Sequence, residues 1–522
     1  MTSVILVLLI ACVNLANLLF VRAQERLPEI AVRRALGAST GRLLRSNMVE
    51  SLLLASLGGL AGLAMAAGLF DVVLRLMPDN VPRLDTVGLS TTTLAFTIGI
   101  TLAAGLFFGV LPTMRLPTTS ALRRGRGTAG RLPGAGALVI AEVSLAVMLL
   151  AAAGLLLRST LAISAVEPGF DTEGKLTVGL RLPAGADPEG RNASLEGAIR
   201  RLQAVPGIHA AAAATAVPFD GRGFSAWALL EDRPSADAES PPWTGYRAIT
   251  PDYFHTLGIR LQKGRLLHEN DRTGLPVVVI NQAAVERLFP DGGALGSRLS
   301  LGPGGILLRD ATVVGVVEDG HNRHLTETPQ SMVYFPYSQA PLWPELALVL
   351  SSGFGDAVTL RAAEAAIHEV DPGIALFSPR SLEQLIRTEV ASSRAMAWLL
   401  GSFAATGLAL AALGLFGVLS FTVARRRREI GVRMALGADR LHTQWHIVRG
   451  GLLQVCAGLM IGGGLVFILS GWFEELLFGV TATDAWTLAG VTLTLLLVGA
   501  LAAWLPARRA AKIEPATVLR SE

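Results

Sequence analysis

The sequence has little charge and almost no cysteine. Only 16% of its 522 residues are charged, whereas 51% are hydrophobic, and the mean hydropathy is +0.49. A soluble protein of several domains carries more charge than this, so the composition excludes that class. The two cysteines, Cys12 and Cys456, both lie in apolar segments, which excludes a disulfide framework for the polar part of the chain.

The sequence also lacks the loop Gly-x-x-x-x-Gly-Lys-Ser/Thr, whose backbone amides cradle the phosphates of a nucleotide. His442 and His446 stand four residues apart, but the helper glutamate of a His-Glu-x-x-His zinc site is missing. His321 and His324 fall in a polar loop. We therefore predict neither a catalytic residue nor a metal site.

Long apolar runs are what the sequence does have. A run of about 20 residues with almost no charge can cross a membrane as a helix. About seven such runs occur, and a long polar segment, 158–394, separates the fourth from the fifth. The runs are residues 4–21, 51–70, 94–111, 137–157, 395–423, 451–470 and 488–505.

The connections between these runs alternate in charge. Arginine clusters follow the first, third, fifth and seventh runs, and such clusters mark the cytoplasmic side because positively charged loops are poorly translocated. The segment 158–394 has more acidic than basic residues, and the loop with Glu474, Glu475 and Asp484 has no Lys or Arg. Both are predicted to be external. The net charge of +4 is then the sum of basic cytoplasmic connections and an acidic external segment. It does not indicate a nucleic-acid partner, and none is expected.

Glu142 interrupts the fourth apolar run. An ionisable group at membrane depth is costly and tends to face a protein interior. We predict that it packs near the helix end, with a functional role as the alternative.

A ten-residue segment occurs twice, 400 positions apart (429 minus 29). Residues 29–38 read EIAVRRALGA and residues 429–438 read EIGVRMALGA. Leu111-Pro112 and Leu505-Pro506 close the last apolar run of each copy. The chain is therefore predicted to contain two homologous three-span blocks, the second preceded by an extra span and the polar segment.

Each decamer has the pattern of a short helix at the membrane surface. Glu29 and Glu429 place a carboxylate at the positive end of the helix dipole, and Gly37 and Gly437 stand where a left-handed C-terminal cap needs glycine. We predict that these helices dock another protein. The residues assigned to this role are Glu29, Ile30, Arg33, Gly37, Glu429, Ile430, Arg433 and Gly437.

The polar segment has the pattern of an α+β domain. Short β-rich runs at 176–182, 277–280, 312–317 and 346–350 alternate with helical patterns at 359–370 and 381–390.

The stretch 427–438 resembles the cytoplasmic coupling segment of MacB/FtsX-type ABC permeases. The polar segment resembles the MacB-type periplasmic core domain through four motifs, at 253–259 with Gly264-Arg265, at 277–281, at 313–319 and at 333–337. The resemblance implies a polytopic α-helical membrane protein of about seven spans with one α+β periplasmic MacB-like core domain. It also implies a subdomain inserted within roughly residues 205–310.

The domains predicted on this basis are a first FtsX-like transmembrane block (1–136), a span that opens the second unit (137–157), the periplasmic core domain (158–394) and a second FtsX-like block (395–522). A family unit has four spans, with its periplasmic domain between the first and the second. Compared with the duplicated permeases of this family, the chain is expected to lack one span and one periplasmic domain before Met1.

The resemblance implies that the decamers are ATPase-coupling segments. The expected partners are a cytoplasmic ABC ATPase subunit, membrane lipids and a periplasmic adaptor or outer-membrane channel. No cofactor is expected to bind directly, since the ATPase uses the ATP, and the location is the bacterial inner membrane. Two functions remain open: efflux or extraction of an envelope substrate, and FtsX-like signalling that controls a periplasmic enzyme without transport. The sequence identifies no substrate.

Overall fold

The computed structural model describes residues 4–16, 39–76, 88, 90–114, 135–183, 185–231, 241–425, 430, 439–474 and 477–511. The chain divides into two compact units. One, called here the helical unit, comprises Met1–Ala162 and Ser392–Glu522; the other, the sheet unit, comprises Ile163–Ala391.

In chain order the helices are α1 (Val4–Ala16), α2 (Thr40–Leu76), α3 (Thr91–Met114), α4 (Ala135–Ser164), α5 (Pro188–Gln203), α6 (Tyr253–Leu257), α7 (Gln282–Leu288), α8 (Asp356–Val370), α9 (Leu382–Arg425), α10 (Arg440–Ile468), α11 (Ser470–Glu474) and α12 (Ala485–Ala511). The strands are β1 (Lys175–Arg181), β2 (Ile208–Ala214), β3 (Ser225–Leu230), β4 (Trp243–Ile249), β5 (Leu261–Gly264), β6 (Val277–Asn281), β7 (Arg298–Leu301), β8 (Leu308–Val317), β9 (Met332–Pro336), β10 (Glu345–Ser352) and β11 (Ala375–Ser381).

The helical unit contains the membrane-crossing helices. Among the described residues, five helices are long and apolar enough to span a bilayer. They are Leu44–Gly68, Gly136–Ser164, Leu382–Ala424, Leu441–Ile468 and Ala485–Arg509. The two remaining predicted spans coincide with shorter apolar helices, Val4–Ala16 and Thr91–Ala103. The chain is therefore a polytopic α-helical membrane protein, as the apolar runs predicted.

Helix α9 differs from the sequence prediction. The helical pattern at 381–390 and the apolar run at 395–423 were expected as two elements, but one helix of 44 residues contains both. Residues 391–394, Ala-Ser-Ser-Arg, contain neither proline nor glycine, so nothing in this polar stretch interrupts the backbone hydrogen bonding of the helix.

The sheet unit begins and ends with a split β-α-β-β-α-β motif. Strands β1 and β2 flank α5, strands β10 and β11 flank α8, and the four strands lie in the order β11-β1-β10-β2. All three pairings are antiparallel, with Val178 opposite Leu348 where β1 meets β10. This order is that of a ferredoxin-like fold, and β3 to β9 are inserted between its second and third strands.

The inserted strands close on themselves. Six of them have the order β4-β3-β7-β8-β6-β9, which returns to β4 because β9 pairs in parallel with β4 as well as antiparallel with β6. The seventh, β5, pairs with β8 beside this path. The ring meets the ferredoxin-like strands where Ala214 of β2 pairs with Ile249 of β4. The predicted boundary near residue 310 is wrong: the insertion extends to Pro336, because β9 is needed to close the ring.

Both faces of the central strands are covered. On β10, Leu346, Leu348 and Leu350 belong to one buried cluster, whereas Ala347 and Val349 belong to another. Alternate residues of a strand point to opposite faces, so a strand buried on both sides needs a continuous apolar run. This explains why β10 could be predicted from such a run.

Polar side chains cap two helices of this unit, α5 and α7. The carboxylate of Asp187 accepts a hydrogen bond from the Gly190 amide at 2.7 Å, and Pro188 occupies the first turn of α5. Asn281 caps α7 in the same way, through the Ala284 amide at 3.0 Å. Asn281 also accepts from the Met332 amide at 2.7 Å, so one side chain links a helix start to β9.

Candidate functional site

Seven of the eight residues predicted to couple to an ATPase lie outside the described part of the chain. The exception is Ile430, which is helical and 8% exposed. What the structure describes is the helix that follows each decamer. These helices, α2 and α10, begin at Thr40 and Arg440, which are equivalent positions of the repeat.

The two helix pairs that follow the decamers pack through equivalent residues. A Cβ placed on Gly105 of α3 would lie 3.0 Å from the Cβ of Ala55 on α2. A Cβ on Gly499 of α12 would lie 2.8 Å from Cγ2 of Val455 on α10. The offsets are 400 (455 minus 55) and 394 (499 minus 105), which match those of the decamers and of the Leu-Pro pairs. The repeat seen in the sequence is thus also a repeat of tertiary packing.

Helices α4 and α10 pack so closely that their backbones are in contact. A Cβ on Gly458 would lie 2.6 Å from the Cβ of Val143, and one on Gly462 would lie 2.7 Å from the Ser144 carbonyl oxygen. The Ser144 hydroxyl lies 2.7 Å from the Ile140 carbonyl oxygen and 3.1 Å from that of Gly458. Small residues permit such close helix packing in membranes, where dispersion contacts and interhelical hydrogen bonds drive association.

Glu142 lies in the interior of the same helix packing. Its side chain is 0% exposed, and neither carboxylate oxygen has a hydrogen-bond partner among the described residues. It faces Gly414 of α9, where a Cβ would overlap the Oε2 atom. A glycine at 414 is therefore what leaves room for this carboxyl group.

The ends of α4 and α12 are joined by polar contacts. Arg158 forms an ion pair with Asp484, and the Ser159 hydroxyl accepts a hydrogen bond from the Phe478 amide at 2.9 Å. Asp484 also caps α12 by accepting from the Thr487 amide at 2.8 Å and the Thr487 hydroxyl at 2.7 Å. These hydrogen bonds, together with Arg158, lower the pKa of Asp484.

The pairing of Arg158 with Asp484 could not be predicted from the sequence. The two residues are 326 positions apart, so no local pattern connects them. The Asp-x-x-Thr spacing of the helix cap is a local signal, and it could have predicted where α12 begins.

The motif residues of the sheet unit turn out to be structural. Tyr253 and Phe254 are 0% exposed, and the Tyr253 hydroxyl accepts a hydrogen bond from Nη1 of the buried Arg247 at 2.9 Å. Burial raises the pKa of Tyr253 and of Tyr334 beside it, although the charge of Arg247 opposes this shift. Gly258 ends α6 with a φ of +69°, the left-handed conformation that glycine adopts without strain.

Arg265, from the Gly-Arg motif, holds the segment after β5. Its guanidinium group binds both carboxylate oxygens of Asp271 at 2.7 Å, and Asp271 also accepts from the His268 amide at 2.8 Å. The hydrogen bonds from Arg265 lower the pKa of Asp271. A bidentate pair of this kind fixes direction as well as distance, so it shapes the loop that leads into β6.

Of the histidines considered in the sequence, His324 has a partner: its Nδ1 lies 2.7 Å from Oε1 of Glu389 on α9. The described part of the chain contains no group of three or more His, Cys, Asp or Glu side chains able to hold a metal ion.

Comparison with known proteins identifies the family. The model of the FtsX-like permease C-terminal domain matches residues 1–120 and 401–515, and that of the MacB-like periplasmic core domain matches residues 136–370. The chain is an FtsX-like ABC permease with a MacB-like periplasmic core domain. The two segments that match the FtsX-like model contain the two copies of the repeat.

Curated relatives of this permease include the macrolide export ATP-binding/permease protein MacB of Marinobacter nauticus, 29% identical over 256 residues, covering 47% of this chain and 38% of the relative. MacB of Escherichia coli is 28% identical over 283 residues, covering 52% and 42%. The uncharacterized ABC transporter permease YvrN of Bacillus subtilis is 27% identical over 330 residues, covering 58% and 76%. The permease thus spans about two fifths of the length of these MacB relatives.

Among solved structures, the periplasmic region of MacB from Actinobacillus actinomycetemcomitans aligns with 44% of this chain and 97% of its own length. The TM-score is 0.30 and the sequence identity is 17%.

Proposed function

We propose that this permease is the inner-membrane subunit of an ABC transporter, driven by a separate cytoplasmic ATPase, and that it serves efflux or extraction of an envelope substrate. ATP binds to the ATPase and not to this chain. Motion is passed from the decamers through the helical unit to the periplasmic domain, which engages a periplasmic adaptor or outer-membrane channel.

The equivalence of the two helix pairs carries this proposal. Each decamer is followed by a helix that starts at the equivalent position of the repeat. Each of these helices packs on its neighbour through a residue pair at equivalent positions of the two copies. Two equivalent segments in one chain suit two equivalent docking surfaces on the ATPase partner. The names of the MacB relatives, which specify macrolide export, favour transport over signalling.

The test is a pair of double charge reversals in the full chain: Glu429→Lys with Arg433→Glu, and Glu29→Lys with Arg33→Glu. ATP hydrolysis that co-purifies with the affinity-tagged permease from its own host measures the partner. We expect each reversal to reduce this hydrolysis several-fold while membrane insertion is unchanged. Unchanged hydrolysis in both variants contradicts the coupling role.

The matched control reverses an exposed ion pair of the sheet unit, Arg181 with Glu345, whose Nε and Oε1 atoms are 2.7 Å apart. The same change of charges there is expected to leave co-purified hydrolysis as in the wild type. Recovery of a peptidoglycan hydrolase with the permease, without an adaptor or channel, would favour the signalling alternative.

A further inference from the structure

The carboxyl group of Glu142 is isolated from every charge on the helices around it. Glu142 is the only acidic or basic residue in the stretches 136–157, 395–424, 450–468 and 485–507, which belong to α4, α9, α10 and α12. The charged residues closest to it along these helices stand at or beyond the ends of those stretches: Arg158, Arg394, Arg425, Arg449, Asp484 and Arg508. Helix α10 also contains the thiol of Cys456. Helix α1, which packs on α9, contributes one titratable group, Cys12.

The surroundings of this carboxyl group are apolar. On α4, Val139 lies one turn before Glu142 and Val143 follows it directly. Both are buried in the same cluster as Ala411 and Leu415, which flank Gly414 on α9. With an exposure of 0% and no hydrogen-bond partner among the described residues, an ionised carboxylate here would have lost its hydration without compensation. Such a charge is far more costly to bury than the neutral acid.

We propose that Glu142 is a proton-binding site in the helical unit, that it is the neutral acid when α4 packs against Gly414, and that loss of the proton drives α4 and α9 apart. A neutral carboxyl group fits the space left by glycine, whereas a carboxylate requires water or a cation. The two helices are those that lead into and out of the sheet unit along the chain, since α4 ends at Ser164 and α9 begins at Leu382. Proton binding therefore controls the packing of the helices to which that unit is attached.

Infrared spectroscopy of the full chain in lipid vesicles tests the protonation directly. At neutral pH the spectrum of the wild type minus that of Glu142→Gln is expected to contain the carbonyl band of a protonated carboxylic acid, shifted in heavy water. Glu142→Met, which is apolar and of similar length, must remove the same band if Glu142→Gln does not fold. Carboxylate bands in place of the acid band would overturn the proposal.

The matched control is Glu345→Gln. Glu345 is an exposed glutamate of the sheet unit, paired with Arg181, so its removal is expected to delete carboxylate bands only.

Thermal unfolding in detergent tests the contact with Gly414. Gly414→Ala is expected to lower the unfolding midpoint by several degrees in the wild type but much less in a Glu142→Ala background, where the new methyl group meets no carboxyl. Gly401→Ala on the same helix, where a Cβ would meet nothing within 4 Å, is the control. Additive effects of Gly414→Ala and Glu142→Ala would show that the two residues do not interact.

The pH dependence separates proton binding from mere packing. If the folded helical unit holds a proton that the unfolded chain releases, stability is present at low pH and is lost as the pH rises. The wild type should therefore lose more stability than Glu142→Gln as the pH rises from about 4, the ordinary pKa of a glutamate, to alkaline values, and identical profiles over this range would overturn the proposal. None of these measurements uses an ATPase, so the proposal stands or falls separately from the coupling role.

Discussion

Gly462 of α10 lies directly against the backbone of Ser144 on α4, so closely that a Cβ at position 462 would be 2.7 Å from the Ser144 carbonyl oxygen. The next two residues, Gly463 and Gly464, face open space. Of these three consecutive glycines, a methyl group would therefore clash only at Gly462, and this difference makes the helix contact testable.

We predict that Gly462→Ala destabilises the helical unit by about 1–3 kcal/mol, because the added methyl group must push α4 and α10 apart. Gly463→Ala, the matched control, should be neutral or slightly stabilising, since alanine favours helix and meets nothing there. Thermal unfolding of the detergent-solubilised chain measures both. Equal effects of the two substitutions would contradict the packing.

The equivalent packing of the two repeats predicts a reciprocal rescue. Gly499→Ala should destabilise the pair α10–α12, and Val455→Ala should relieve this clash, because it removes the Cγ2 atom that the new methyl group would meet at 2.8 Å. In the first block, Gly105→Ala should be relieved by Ala55→Gly. Double-mutant cycles on unfolding midpoints measure the coupling, and additivity in both blocks would argue against equivalent contacts.

Tyr253→Phe should destabilise the sheet unit by roughly 1–3 kcal/mol, because Arg247 loses the acceptor of a buried hydrogen bond. The matched control is Tyr246→Phe. Tyr246 precedes Arg247 on β4, and the same change there deletes no hydrogen bond to another described residue. Denaturant unfolding followed by tryptophan fluorescence gives the free energies. A larger loss in the control than in Tyr253→Phe would show that Tyr253 is not the partner that matters.

The sheet unit should lose stability at alkaline pH. All four tyrosines of the chain lie in it, and burial raises the pKa of each, that of Tyr337 to about 12. Because the folded state holds these protons above the ordinary pKa of about 10, their contribution is complete below about pH 10 and is lost as the pH rises towards 12.

Tyrosinate absorbance measures this, since no tyrosine lies outside the sheet unit. We expect it to rise only above about pH 11, together with unfolding. Tyr337→Phe should make stability less dependent on pH in this range, although it also deletes the hydrogen bond from the Tyr337 hydroxyl to the Trp343 carbonyl oxygen at 2.6 Å. Tyrosinate formation near pH 10 in the folded chain would contradict the burial.

The orientation predicted from the charges can be tested with single cysteines in a chain without Cys12 and Cys456, so that each labelling reports one position. A cysteine at Ser225, exposed on β3, should react with a membrane-impermeant thiol reagent in cells whose outer membrane is permeabilised. A cysteine at Ser39, which precedes α2, should react only after lysis. Reaction at Ser39 but not at Ser225 in intact cells would reverse the orientation.

Much of the sheet unit could be predicted locally. The apolar runs at 277–280 and 346–350 became β6 and β10, because a strand buried on both faces must be apolar throughout. The closure of the inserted ring could not be predicted, since the parallel pairing of β4 with β9 joins Gly245 to Met332, 87 positions away (332 minus 245). No local pattern specifies which strands meet at that distance.

The sequence by itself determined the membrane class, the approximate spans and the repeat, because these depend on composition, run length and self-similarity, which are properties of the chain alone. Only the tertiary structure decided what Glu142 and the glycines do. The sequence marks Glu142 as unusual at membrane depth, but its role depends on Gly414 standing opposite, 272 positions along the chain (414 minus 142). Likewise Gly462 and Gly463 are identical as residues, and they differ only because one of them faces α4.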